Sequence, residues 1–551
     1  MTKLITFAWN TFYVLYAVAF TIGMFFVFFR SHTGQSPILL PFITVVFALP
    51  LLLRLWRLSE RLDLSDRAHK WILLIFIVAS GMLQIILGDR LRFVPMWDME
   101  AIFDGGRMWA LTGTLDNPTV FHGTYLRYFA MKSVMWGGVF LFRCLFWIYD
   151  FFGGTDFHVP ALVWSVTMVQ AMVLALHSAA TRLKGPRAGL FVLFLLAVFL
   201  PFHFFGAAYY TDTLSMPFVA IAFAFYLRAK DEENLRKKLI FFAACGLAVA
   251  IGSALKTTAL IVFIAIFIDF LLTIEKRGWP KRLVCAGTMA LAFIIVFGGF
   301  YMYMSRVVIG PELTERYRLP RTHWMMMGLQ GHGHYCPNDF AFTMGIYDLE
   351  TRQSETTRIV MERLQERGVS GMAYLYSAKF AINFGDGTYE IHRILHLSPV
   401  NETRLHDMVL SQGRHFNAYL HVATGMTAAL MLLMIAGVLH AYLKKGISEN
   451  TPVPWLSFFG LALLLTVWES GGRLSMSYFP MLVIGGIVGL SVVEPLILRY
   501  LDKIVVCNTA PSSDTTEIPS PSINPLGTNE ISTSCCPAGT SNTINISSND
   551  E

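Results

Sequence analysis

The residues with the clearest chemical potential are charges set between apolar runs. The first group is Val94-Pro-Met-Trp-Asp98-Met-Glu100-Ala-Ile-Phe-Asp104-Gly-Gly-Arg107. Further along come Tyr209-Tyr-Thr-Asp212-Thr, Ala254-Leu-Lys256-Thr-Thr and Trp468-Glu469-Ser-Gly-Gly-Arg473. Asp98 and Glu100 are carboxylates able to take a proton from a hydroxyl. Lys256 and Arg473 suit a phosphate, the arginine through its planar fork and the lysine as a point charge. Each position also has a plainer reading. Asp98 and Asp212 are good helix caps, and Glu469 and Arg473 are spaced for an i,i+4 ion pair on a helix.

A second group follows in His323-Trp-Met-Met-Met-Gly328-Leu, Gly331-His-Gly-His334-Tyr, Asp339 and Phe384-Gly-Asp386-Gly-Thr-Tyr. His332 and His334 invite a metal reading, but HxH without a third ligand at a recognised spacing points to a site without metal. The seven cysteines form neither a disulfide framework nor a zinc spacing. No cofactor follows from these residues, and a divalent cation stays open. Asn401-Glu-Thr403 is a glycosylation sequon that matters only in a eukaryotic secretory membrane.

The elements that must hold these residues are membrane spans. The chain has 551 residues, 55% of them hydrophobic and 15% charged, against roughly 25% charged in soluble proteins. Its mean hydropathy is +0.53. Continuous apolar runs of about 20 residues recur, as a helix crossing the hydrocarbon requires. Within lipid their backbones must bond internally, and alternating barrel strands are absent from the pattern. The fold class is therefore an all-α polytopic membrane protein of about 12 spans. They fall near 7–29, 37–55, 71–88, 159–180, 189–207, 214–228, 239–255, 258–274, 283–304, 416–443, 455–469 and 474–498.

Clusters of Lys and Arg in short loops mark the cytoplasmic side. They occur at Arg54–Lys70, Arg182–Arg187, Arg228–Lys238, Lys276–Arg282 and Lys444–Lys445. That arrangement places both termini inside and makes residues 134–149, which carry Arg143, a helix lying in the outer interface. Nothing in the net charge of +6 suggests a nucleic-acid partner.

Residues 1–70 then form a two-span segment with a cytoplasmic loop. Residues 71–304 form a transmembrane core with a first outer loop at 89–133. Residues 305–415 make a large extracytoplasmic loop, 416–503 the last spans, and 504–551 a disordered cytoplasmic tail rich in Ser, Thr, Asn and Pro. Asp98, Asp212, Lys256, Glu469 and Arg473 all fall on the outer side, at loop tips where function concentrates.

Taken in order, the Asp98 loop, the Tyr-Thr-Asp-Thr tip, the Lys-Thr tip, the His-Trp-Met-Met-Met-Gly-Leu and Gly-Asp-Gly-Thr-Tyr segments and the Trp-Glu…Arg ending resemble the GT-C glycosyltransferase superfamily. The likeness is to bacterial members near the protein O-mannosyltransferase and aminoarabinose-transferase-like branch, over residues 71 to 498. It implies a GT-C-like fold with interfacial helices in the first outer loop. It also implies inverting transfer of a sugar from a polyprenyl-phosphate donor to an acceptor outside the cytoplasm, at the plasma membrane.

By that likeness Asp98 is the general base, and Lys256 and Arg473 neutralise the departing lipid phosphate. Asp212 places the donor or holds the cation, and Glu100, Glu469, His323, Asp339 and Asp386 support. Two stretches depart from the family pattern: Tyr125-Leu-Arg-Tyr128-Phe-Ala-Met-Lys132, and the spacing of Arg473 from Tyr478. The competing readings are a transporter, a lipid-linked-glycan flippase or a polymerase. A transporter would place its charges near the bilayer midplane rather than at loop tips.

Overall fold

In the computed structural model every apolar run is a helix, as internal backbone bonding in lipid demands. The structure describes residues 2–29, 40–119, 123–272, 279–395, 399–444 and 451–509. Among them, nine helices are long and apolar enough to cross a membrane, or ten if one bent pair counts as a span. The bent pair, Pro186–Val198 and Leu200–Ala207, turns by 76° and covers the expected span at 189–207. The expected spans at 258–274 and 455–469 are shorter helices, Thr257–Leu272 and Val453–Val467. That at 214–228 lies within the helix Thr211–Asp231.

The segment 134–149 departs from expectation. With the turn before it, it forms a helix over Ser133–Phe151, 19 residues long and apolar enough to cross. Its length therefore does not set it apart from the spans. It packs on the first-loop helix Trp97–Thr112 through Phe103 and Phe142, whose rings lie 5.9 Å apart. The Arg143 guanidinium lies over the Trp109 ring of the same helix at 5.2 Å, so its charge is met by an aromatic face. On its other side Gly137 meets the end of the helix Leu235–Leu255. A Cβ there would stand 2.1 Å from the Ala254 carbonyl oxygen.

Residues Met1–Leu498 form one compact unit. The last helix, Phe479–Thr509, is helical past residue 504, where the polar tail was expected to begin. The tail beyond Thr509 lies outside the described residues, as do Lys276, Arg277 and Lys445 of the loop clusters.

The two long loops meet. Phe93 bridges to Pro399, Val400 N–H donates to the Arg92 carbonyl at 2.8 Å, and Leu319 N–H donates to the Met131 carbonyl at 3.1 Å. The late loop is mostly helical, its longest element Leu349–Phe384 kinked at Gly368 (φ 57°). This contact places the Asp98 loop under the late loop, over the tips that carry Asp212, Lys256 and Glu469.

Candidate functional site

Asp98 sits in the first turn of the helix Trp97–Thr112 and lines two cavities. Its Oδ1 accepts from the Tyr128 hydroxyl at 2.5 Å and from the Lys132 ammonium. Both donors come from the stretch that departs from the family pattern. Burial alone would raise the Asp98 pKa. The charge and hydrogen bond of Lys132, the Tyr128 hydroxyl and Arg473 outweigh it and hold the carboxyl below the usual range.

Asp212 is wholly buried in the first turn of the helix Thr211–Asp231, whose N-cap is Tyr210. The capping alternative is thereby replaced by ion pairing: Asp212 pairs with Lys256 and with Arg473 Nη1 at 3.3 Å. One carboxylate against two cations leaves the cluster one positive charge, and the Glu469 carboxyl on the same cavity wall is within electrostatic reach of both cations. The i,i+4 pair of Glu469 and Arg473 does not form. The helix ends at Val467, Gly471 is extended, and Arg473 turns to Asp212 and to the Tyr210 ring, 5.2 Å away.

The two cavities share Asp98, Tyr210, Glu469, Arg473 and Leu474. The first, of about 420 Å³, is the more polar of the two, with His334, Tyr335, Glu390 and Arg393 in its wall. The second, of about 270 Å³, has apolar walls of Val134, Leu255, Leu464 and Leu465, and holds Lys256 and Arg321. Burial raises the pKa of both Glu390 and Glu469 above the usual carboxylate range and lowers that of His334.

The strap Trp468–Gly471 that carries Glu469 is tied to the late loop. The buried Lys379 ammonium donates to the carbonyls of Gly328 (2.8 Å), Thr466 (3.0 Å) and Trp468. Gly471 N–H donates to Asn383 Oδ1 at 2.9 Å, and Ser470 N–H to the Gly333 carbonyl at 2.7 Å.

The remaining candidates lie elsewhere. Glu100 accepts from the Tyr125 hydroxyl at 2.7 Å and lines neither cavity. His323 Nδ1 meets the Thr343 hydroxyl at 2.8 Å, and Asp339 is held bidentately by Arg363 at 2.7 and 2.8 Å. Both brace helices within the late loop rather than the cavities. Asp386 accepts from Thr388 N–H at 2.8 Å and Glu390 N–H at 3.1 Å, closing the turn that aims Glu390 at the polar cavity. In that turn Tyr389 (φ 55°) and Glu390 (φ 50°) adopt left-handed backbone, as does Trp97 (φ 54°) beside Asp98. Such conformations cost about 1–3 kcal/mol each and gather at functional sites. Here they flank the polar cavity on both sides.

Among the described residues no group of three or more His, Cys, Asp or Glu is placed to hold a metal ion. Tyr128, Lys132, Tyr210, Glu390, Arg393 and Arg321 were not singled out as site residues by sequence. Glu390 directly follows the Gly-Asp-Gly-Thr-Tyr segment, and Lys132 is a cation in an expected outer loop. Those were the signals available.

A family model described as conserved hypothetical integral membrane protein matches residues 1–491. The chain belongs to this family. Its members are described as integral membrane proteins, in keeping with the many apolar helices seen here. No curated protein matches the chain. Among solved structures, ArnT from Cupriavidus metallidurans bound to undecaprenyl phosphate aligns at 14% identity and a TM-score of 0.34, over 75% of this chain and 78% of that one. The archaeal oligosaccharyltransferase AglB from Archaeoglobus fulgidus, in complex with an inhibitory peptide and a dolichol-phosphate, aligns at 13% identity and a TM-score of 0.39, over 81% of this chain. The chain spans about half of the AglB structure, 53% of its length. Likeness at this level assigns neither a residue nor a reaction.

Proposed function

We propose that this protein is a GT-C-like membrane glycosyltransferase. It moves a sugar from a polyprenyl-phosphate donor to an acceptor on the extracytoplasmic face of the plasma membrane, with inversion. The observation that carries the reading is the junction of the two cavities at Asp98, Glu469 and Arg473. The apolar cavity suits the first isoprene units, with Lys256 and Arg473 at the phosphate. The polar cavity suits a hydroxylated acceptor.

Asp98 is the base. Lys132 and Tyr128 both bond Oδ1, and among the described residues no hydrogen bond falls on Oδ2. The carboxylate is thus held ionised with one oxygen open to a hydroxyl proton. As the acceptor oxygen attacks the anomeric carbon, the bond to the phosphate oxygen breaks. The charge arriving there meets cations fixed by Asp212, a preorganised electrostatic stabilisation. Asp212 acts through Lys256 and Arg473, and Asp386 through Glu390.

The test is reconstitution of the full chain in vesicles with a panel of radiolabelled polyprenyl-phosphate sugars, wild type against Asp98→Asn. Transfer by wild type and its loss in a folded Asp98→Asn protein are expected. Failure to turn over any donor, with vectorial uptake of a solute, would replace this reading with a transporter.

A further inference from the structure

A third cavity, of about 410 Å³, lies beside the apolar one and shares Val134, Thr257, Arg321, Trp324 and Trp468 with it. Its charge is one-sided. Lys132, Arg318 and Arg321 line it, and no carboxylate does. Of these three, Lys132 is already held by Asp98, while at the apolar cavity Lys256 and Arg473 hold Asp212. Arg318 donates to the Tyr301 hydroxyl at 3.3 Å, a neutral partner. Neither Arg318 nor Arg321 has an ion pair among the described residues. Guanidinium groups gathered at a cavity without compensating acid call for an anion.

The backbone that presents them is pinned. Arg352, 1% exposed, spends its guanidinium on main-chain carbonyls, those of Arg316 and Arg318 at 2.8 Å and of Ile346 and Tyr347 at 2.8 and 3.1 Å. Leu319 is tied to Met131, and Pro320 sets the start of the helix Arg321–Gly328. A buried arginine employed to fix a loop that carries two further arginines is preorganisation of the kind binding sites use.

The rest of the wall is aromatic and uncharged. Trp136 is fixed by its Nε1 bond to the Phe129 carbonyl at 2.7 Å and packs on Tyr301, while Trp324 stacks on Trp468. Thr322 and Gln353 add neutral hydrogen-bonding groups. Phe297, Phe300 and Tyr301 belong to the helix Trp279–Val308, of which only 17% is covered by protein, so the cavity borders a largely uncovered span.

We propose that this cavity is a second anion site, distinct from the donor-phosphate site, that takes a phosphorylated or carboxylated sugar. Its acidic group lies between Arg318 and Arg321, and its ring lies against the indole of Trp324, whose face accepts apolar C–H surface. The inference goes beyond the reading of the function above, because it adds an acidic sugar that neither the general base nor the donor phosphate requires.

The experiment is equilibrium binding to the full chain in nanodiscs, with glucose 1-phosphate, glucose, inorganic phosphate and undecaprenyl phosphate as separate probes. Wild type is compared with an Arg318→Gln/Gln353→Ala double variant, whose positions line the third cavity and neither of the others, and with Lys256→Gln. Glucose 1-phosphate should bind more tightly than glucose or inorganic phosphate. The double variant should weaken it at least about tenfold, the loss expected of a charge-assisted hydrogen bond, and Lys256→Gln should leave it unchanged.

Undecaprenyl phosphate should show the reverse pattern. If the double variant weakens both probes equally, the cavity belongs to the donor and the second site is overturned. If glucose 1-phosphate binds no better than inorganic phosphate, or is untouched by the double variant, it is likewise overturned. Undecaprenyl phosphate binding that still depends on Lys256 would then leave the proposed transferase standing by itself.

Discussion

The helix Thr211–Asp231 has a buried aspartate cluster at each end, and the two differ in one respect. At its start, Asp212 holds Lys256 and Arg473 beside two cavities. Toward its end, Tyr226 and Lys230 reach Asp269 of the neighbouring helix at 2.5 and 3.3 Å, joined by Thr451 at 2.9 Å. Asp269 is as buried as Asp212, yet it lines none of the three cavities. A charge at membrane depth is a functional candidate by default. What separates these two is space: the Asp212 cluster borders the junction of two cavities, and Asp269 lines none of the three.

The first way to break the comparison is at the acids that face the void. Asp98→Asn should lower turnover per folded molecule by about 10²–10⁴-fold, the span of general-base effects, with a smaller effect on the melting temperature. The transfer assay read beside a thermal melt checks both halves. Asp269→Asn should do the opposite. Removing one partner of a buried pair costs about 3–5 kcal/mol, so the melting temperature should fall while turnover per folded molecule stays constant. A large turnover defect in Asp269→Asn would erase the distinction.

Acidity sharpens it further. Burial lifts Glu469 and Glu390 above the ordinary carboxylate range, while Lys132 and Tyr128 hold Asp98 below it. As pH falls, the two glutamates therefore take up protons before Asp98 does. The acid limb of kcat/KM, set by Asp98 as the base, should lie below the ordinary carboxylate range and stay there in Glu469→Gln or Glu390→Gln, whose carboxyls are protonated before it. Because its folded pKa is depressed, Asp98 contributes stability above the unfolded carboxylate value and loses it only as pH falls through its lower folded value. The smallest expected effect is Tyr128→Phe, which removes one hydrogen bond to Asp98. At about 1 kcal/mol it should cost a few-fold in kcat and raise the pH at which Asp98 titrates.

The sequence was most legible where physics is local. Apolar runs long enough to cross lipid have to be helices, and the expected spans are helical among the described residues, although 189–207 breaks into two helices and 258–274 and 455–469 are short. The tips between them fell where charge interrupts the runs, which exposed Asp98, Asp212, Lys256 and Arg473 before any geometry was known. What stayed hidden depends on long separations. Lys132 and Tyr128 reach Asp98 across 34 and 30 residues, and no local pattern announces that pairing. Glu469 and Arg473 show the converse error: an i,i+4 spacing reads as a helical pair only if the helix continues, and here it stops at Val467. His323 and Asp339 looked chemical by type but are consumed by Thr343 and Arg363 within the late loop. Arg352 is invisible to composition, since nothing in sequence separates a buried arginine that binds carbonyls from a solvated one.

Gly137 lines none of the three cavities, yet it sets their bore. With a hydrogen where a methyl would meet the Ala254 carbonyl, two helices touch backbone to backbone, and Lys256 begins two residues further on. The working gap between the cation wall and the helices around Asp98 is thus gauged by the thinnest shim a chain can carry. Any thicker residue would part the two helices or shift the lysine, so the space beside Lys256 depends on a position that lines no cavity.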